Sequence, residues 1–180
     1  LERYQMSYSS CGLCGTTSLK ALEFKNPPSL DETKSWLNAE LIYQLPKRML
    51  ENQALFHPTG GVHAAALFDS QGSLLTLQED IGRHNALDKV IGSQFKNQQM
   101  NFQQKVLIIS SRVSFEIVQK AIVAGISVVV AIGAPTDLAI LAAKRFNLTL
   151  IGFATDTSFN LYHGHWRLMP QEAGTPCQRT

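Results

Sequence analysis

The sequence is poor in charge. Only 17% of its 180 residues are Asp, Glu, Lys or Arg, with a formal net charge of +2, against ~25% charged residues in typical globular proteins. No run of Lys or Arg forms a stripe that could follow a phosphate backbone, so no nucleic-acid partner is expected. Long apolar runs are also missing. Segments such as residues 126–132 fall far short of the ~20 apolar residues that cross a bilayer, so no membrane partner is expected. Residues 1–10 lack the apolar centre of a signal peptide. The chain begins at Leu1 rather than Met, so further residues upstream are expected. Cysteine is scarce and odd in number: Cys11, Cys14 and Cys177 do not make a secreted disulfide framework. A reducing cytoplasm is therefore expected, with Cys11 and Cys14 kept for chemistry rather than stapling. A Walker-type Lys loop and a dinucleotide fingerprint are both absent. What remains is an ordinary 44% of hydrophobic residues, enough for one domain with a full core.

Texture divides the chain in three. Residues 1–38 are polar and turn-rich and read as a cysteine-containing loop or arm. Residues 39–168 form an α/β domain, and residues 169–180 a tail. Residues 41–52 have helical spacing interrupted by Pro46, which predicts either two short helices or one restarting at the proline. Residues 62–68 and 73–78 flank Asp69-Ser70-Gln71-Gly72 and predict a hairpin. Asp80 is placed to cap a helix reaching Phe95, with Leu87, Val90, Ile91 and Phe95 inward. Apolar strands at 106–109, 128–132 and 148–153 then alternate with two helices. Ser114 opens the first of these and Gly125 closes it; Thr136 opens the second, with Leu138, Leu141, Ala142 and Phe146 inward. Strands apolar on both faces and separated by helices predict a three-layer α/β fold, with a mixed, mostly parallel sheet and helices on both faces.

Ligands of such sheets bind beyond the carboxyl ends of the strands. Four loops meet at that edge: residues 79–85, 110–114, 133–136 and 153–158. Arg83 and Arg112 stand near helix N-termini, where free amides and a guanidinium suit a phosphate. The competing reading is surface ion pairing with Glu79, Asp80 or Glu116. His84 reads as structural or catalytic. Cys11-Gly12-Leu13-Cys14-Gly15 lies outside the periodic core and is open to solvent. It reads as a redox pair, as half of a zinc site completed by His163 and His165 on one strand face, or as a sulfur carrier. In the carrier, one thiolate takes up sulfane sulfur and the other orients or resolves it. Cys177 is incidental. Zinc nucleobase deaminases need H-x-E and P-C-x-x-C. Here His63-Ala64-Ala65 and Ala134-Pro135-Thr136-Asp137 lack the carboxylate and the thiols, which leaves His63 as a structural residue buried against the sheet.

Several ordered blocks then carry a resemblance. Ser10-Cys11-Gly12-Leu13-Cys14-Gly15, Thr59-Gly60-Gly61-Val62-His63-Ala64-Ala65-Ala66 and Glu79-Asp80-Ile81-Gly82-Arg83-His84-Asn85-Ala86-Leu87-Asp88-Lys89 resemble the formate dehydrogenase accessory sulfurtransferase family (FdhD/NarQ), C-terminal domain. Ser110-Ser111-Arg112-Val113-Ser114-Phe115-Glu116, Ala134-Pro135-Thr136 and Leu148-Thr149-Leu150-Ile151-Gly152-Phe153 extend the match. The resemblance implies a cytidine-deaminase-like fold without the zinc site. It implies that a cysteine desulfurase passes persulfide sulfur to Cys11, with Cys14 as partner. The sulfur then goes to the molybdenum bis-guanine-dinucleotide cofactor, a transiently bound substrate that a guanine nucleotide mimics, for delivery to the formate dehydrogenase catalytic subunit. Phe153, Ala154, Thr155, Asp156, Thr157 and Ser158 become the cofactor contact, joined by Arg83, His84, Ser110 and Arg112. A homodimer and no metal site are implied. The alternatives are a non-catalytic chaperone for the cofactor and a zinc-stabilised binding module. The 153–158 loop carries no basic residue, so backbone amides and hydroxyls are expected to hold the phosphates.

Overall fold

The computed structural model describes residues 19–23, 26–30, 35–96 and 101–170. Helix α1 (Leu19–Glu23) is followed by α2 (Ala39–Glu51), α3 (Phe56–Thr59), and a hairpin of β1 (His63–Phe68) and β2 (Leu74–Asp80). Helix α4 (Arg83–Lys96) then leads to β3 (Val106–Ile109), α5 (Phe115–Ala124), β4 (Val128–Ala131), α6 (Asp137–Arg145), β5 (Thr149–Gly152), β6 (Asn160–His163) and a 3-10 turn at His165–Arg167. The strands form one six-stranded sheet in the order β2-β1-β3-β4-β5-β6.

The sheet is mixed, as expected, but its parallel ladders are confined to β3–β4 and β4–β5. The pairs β1–β2, β1–β3 and β5–β6 are antiparallel. A tight hairpin forces the first reversal, and the short loop after β5 forces the last, since a parallel pair needs a long crossover. Strand β6 was not foreseen, because four half-buried residues give little periodicity to read. Strands β2, β3, β4 and β5 nevertheless run the same way, so their carboxyl ends share one edge.

Two cores sandwich the sheet. On one face Ala65, Leu67, Leu107, Ile109, Val129 and Leu150 pack under α4, α5 and α6. On the other, Ala64, Ala66, Phe68, Ile108, Val130 and Ile151 pack under α2. The central strands β3, β4 and β5 are buried along their whole length, which is why they read as unbroken apolar runs. Leu22 and Leu30 of the N-terminal segment join the first core, and Leu37 joins the second.

Several helices differ from expectation. Helix α2 is continuous through Pro46. Burial of Leu41, Ile42, Leu45 and Met49 along one face holds it together despite the missing amide. Asp80 ends β2 rather than capping α4; its carboxylate accepts from Gly82 N at 2.9 Å and Asn85 Nδ2 at 3.1 Å and pairs with Lys89 Nζ. In α4 the inward residues are Ala86, Leu87, Val90 and Gln94, while Phe95 is 71% exposed. In α6 they are Ala139, Ala142 and Ala143, with Leu138 and Leu141 turned outward. Gly125 closes α5 at φ +83°, as expected, and Thr136 caps α6 through its side chain. Ser114 stands at the start of α5 without a side-chain capping hydrogen bond, its carbonyl accepting from Val118 N at 3.3 Å.

Candidate functional site

The loops at the shared edge interlock. Val113 N donates to Ala134 O at 3.0 Å, Thr136 N to Val113 O at 2.9 Å, and Phe153 N to Gly133 O at 3.3 Å. The two crossover loops approach so closely that a Cβ at Gly133 would stand 2.8 Å from Arg112 N. Only glycine fits that contact.

Beside these loops, on the α2 side of the sheet, opens a cleft of about 750 Å³, within the ~300–1,000 Å³ common for ligand sites. Helix α2 supplies Pro46, Lys47, Met49 and Leu50, and Gln53 follows just beyond its C-terminal end. Residues 46, 49 and 50 share one side of the helix, adjoining the core stripe to which Met49 also belongs. The α3–β1 segment supplies Phe56 and residues 60–63, and the sheet edge supplies Ser110, Ile132 and residues 154–156. Ser110 is tied to β1: its Oγ accepts from Ala64 N at 2.9 Å, and its amide donates to Ala64 O at 3.0 Å.

One cleft wall is braced by a β2 carboxylate. Glu79 accepts from Leu55 N at 2.7 Å, from Phe56 N at 2.9 Å and from Gln53 Nε2 at 3.4 Å. The carboxylate thereby satisfies amides at the start of α3 that the helix itself leaves open. It fixes the turn from which Phe56 and Gly60 reach the cleft.

The expected site residues divide. Ser110, Ala154, Thr155 and Asp156 come together in the cleft. Phe153, Thr157 and Ser158 belong to the same loop but do not line it, and neither do Arg83, His84 and Arg112. Arg83 and His84 open α4 on the opposite face of the sheet, where α5 packs. Burial, followed by the positive charges of Arg83 and Lys120, lowers the His84 pKa below the ordinary histidine value, against the raising effect of Glu116 and Asp88. Among the described residues, neither Arg83 nor Arg112 forms an ion pair; Asp80 is taken by Lys89, and Lys120 by Asp88.

In the 153–158 loop, where backbone amides and hydroxyls are expected to meet phosphates, most amides already have acceptors. Thr155 N donates to Ser158 O at 2.8 Å, and Thr155 Oγ1 accepts from Thr157 N at 3.3 Å and Ser158 N at 2.9 Å. Ala154 N donates to Ala131 O at 3.0 Å. The loop is closed on itself and on the neighbouring strands, so these donors are spent.

His63 is also corrected. It is half-buried at the start of β1 and lines the cleft rather than lying inside the sheet. Its neighbours in the Thr59-Gly60-Gly61-Val62 block line it too, apart from Thr59. That block was visible as a motif without a role, and the second stripe of α2 was the signal for the rest. His163 and His165 do not share a strand face: His163 ends β6, Gly164 turns the chain at φ +84°, and His165 begins the 3-10 turn. Both imidazoles pack edge-on against Trp166. Among the described residues no three His, Cys, Asp or Glu side chains converge as metal ligands would. No helix of the described residues is long and apolar enough to cross a membrane. Cys11, Cys14 and Cys177 lie outside the described residues.

With this geometry in view, the comparisons with known proteins agree. The chain is 44% identical over 169 residues to the sulfur carrier protein FdhD of Streptomyces avermitilis, covering 93% of this chain and 60% of that protein. It is 44% identical over 154 residues to the protein of the same name from Sulfolobus acidocaldarius, covering 86% of this chain and 58% of that one. The chain thus spans about three fifths of the length of the curated relatives it matches. Its fold matches a crystal structure described as a candidate formate dehydrogenase accessory protein from Desulfotalea psychrophila. That match has a TM-score of 0.72 and 26% identity and covers 82% of this chain and 62% of the other. The model of the FdhD/NarQ family matches residues 1–169, so motif order, fold and kinship converge, and the chain belongs to that family.

Proposed function

We propose that the chain is the carrier portion of a sulfur relay serving formate dehydrogenase. The Cys11 thiolate attacks the sulfane sulfur of a cysteine desulfurase persulfide, displaces the desulfurase thiolate and becomes a persulfide itself. Cys14 then attacks the Cys11 sulfur, forming a Cys11–Cys14 disulfide and releasing the outer sulfur as hydrosulfide. The two thiols together supply the two electrons that reduce sulfane sulfur to sulfide, and an external dithiol reductant restores them from the disulfide. A free thiol titrates near ~8.5, so the loop needs nearby positive charge to hold a thiolate at neutral pH.

The acceptor is the molybdenum bis-guanine-dinucleotide cofactor, handled as a substrate, with one guanine nucleotide seated in the cleft. The observation that carries this reading is the cleft itself. It gathers Gly60–Gly61–His63, Ser110 and Ala154–Asp156, drawn from separate sequence blocks, at the strand ends where α/β sheets take ligands. Phe153, Thr157 and Ser158 support the loop that carries Asp156, while Arg83 and His84 at the start of α4 and Arg112 after β3 lie outside the cleft and are assigned to the remaining parts of the cofactor. The formate dehydrogenase catalytic subunit receives the sulfurated cofactor in the cytoplasm, and the carrier acts as a homodimer. Ile81 and Phe95, 82% and 71% exposed, offer apolar surface to such contacts.

The test is to incubate the chain with a cysteine desulfurase and cysteine and weigh the cysteine-loop peptide. One added sulfur atom on that peptide, lost in Cys11→Ser, is the expected result. An unmodified peptide refutes the carrier role and leaves a cofactor-holding chaperone.

A further inference from the structure

The 153–158 loop presents a carboxylate where a phosphate-binding loop would present donors. Of the amides from Phe153 to Ser158, only that of Asp156 has no acceptor among the described residues, the others being bonded within the loop or to the strands beside it. Asp156 is exposed among the residues that line the cleft, and its carboxylate makes no ion pair or hydrogen bond among the described residues. An ionised carboxylate only accepts hydrogen bonds, and it repels a phosphate. The part of a ligand that lies against it must therefore bring N–H or O–H donors and no negative charge.

The surrounding walls narrow the choice. Met49, Leu50, Phe56 and Ile132 give a largely apolar lining with the Phe56 and His63 rings in it and Lys47 and Gln53 beside them, suited to a flat heterocycle. Guanine offers two neighbouring donors on one edge, N1–H and the N2 amino group, whereas adenine has an acceptor at N1. Resting on the reading of the cleft as a nucleotide seat, we propose that Asp156 is a specificity-determining residue that reads the donor edge of guanine, with the phosphates placed away from the 153–158 loop. The closed turn around Thr155 presets the backbone that carries Asp156, so little main-chain ordering is required when the base arrives.

The experiment measures binding of guanosine, inosine, xanthosine and adenosine diphosphates to the whole chain by calorimetry, in the wild type and in Asp156→Asn. Inosine lacks the N2 amino group, and xanthosine carries a carbonyl there. The wild type is expected to bind the guanosine form about tenfold more tightly than the inosine form, the ratio one charge-assisted hydrogen bond supplies. In Asp156→Asn that ratio falls toward one and the xanthosine form gains affinity, because the new amide donates to the carbonyl. A gain cannot come from misfolding. If the variant keeps the guanosine-to-inosine ratio and gains nothing for xanthosine, Asp156 does not read the base although the cleft holds a nucleotide. If no nucleotide binds to the wild type, the nucleotide seat is refuted and this assignment falls with it.

Discussion

Replacing Glu79 with alanine tests whether the cleft wall is braced as its geometry indicates. The carboxylate holds two backbone amides, those of Leu55 and Phe56, at 2.7 and 2.9 Å, and one weaker side-chain bond from Gln53 at 3.4 Å. Hydrogen bonds to a charged group contribute about 1.5–3 kcal/mol each when the partner is left unsatisfied. Leu55 is 53% exposed, so water replaces much of its lost bond, and the effect rests mainly on Phe56. The expected destabilisation of Glu79→Ala is therefore about 2–3 kcal/mol, a fall in melting temperature of roughly 4–12 °C for a chain of this size. Glu79→Gln should lose about half of that, because one side-chain oxygen still accepts while the new NH2 faces the other amide donor. Denaturant unfolding gives the energies, and hydrogen exchange at Leu55 and Phe56 locates them. Stability within ~0.5 kcal/mol of the wild type, with no faster exchange at those two amides, would refute the brace.

Two further outcomes follow from the same contacts. Lys89, followed by the amide of Gly82 and the side chain of Asn85, holds the Asp80 pKa down from 3.8 to about 2. Because the folded value lies below the unfolded one, this contribution is complete above pH 4 and is lost as the pH falls toward 2; in Lys89→Met, carboxyl NMR should show Asp80 titrating closer to its ordinary value, and an unmoved midpoint would remove Lys89 as the main cause. Gly164→Ala should destabilise by at least ~2 kcal/mol, since a Cβ there would stand 2.2 Å from Thr149 Oγ1 at a backbone φ of +84°. Thermal unfolding equal to the wild type would show that the 3-10 turn shifts freely, contrary to the Arg167 anchor, whose guanidinium donates to Asn147 O and Thr149 Oγ1.

How far each element could be read from the chain depended on how many stripes the period allowed. Strands β3, β4 and β5 are apolar on every side and admit one reading. Helix α6 admits two: Leu138 with Leu141, or Ala139 with Ala142 and Ala143. Hydrophobicity favours the leucines, but α6 lies alongside α5 and over the sheet, and small side chains allow that close approach, so the alanines went inward. Helix α4 shows the same conflict, with Gln94 buried and Phe95 outside. The candidate loops were legible because strand order along the chain places their ends at one edge. Their division between two faces of the sheet was not, because a one-dimensional spacing carries no information about which side of a strand a loop leaves.

Local chemistry in the chain was enough for the alternation of helices and buried strands, the hairpin, the glycine ending α5 and the motifs that signal the family. Those features depend on neighbours a few residues apart. The cleft depended on long-range packing: a continuous α2 despite Pro46, a Glu79 brace reaching back to residues 53–56, and a self-closed 153–158 loop that leaves Asp156 exposed at the cleft. Each joins segments more than twenty residues apart or consumes hydrogen-bond donors that sequence alone leaves formally free, and such pairings exist only once the sheet has brought the segments together.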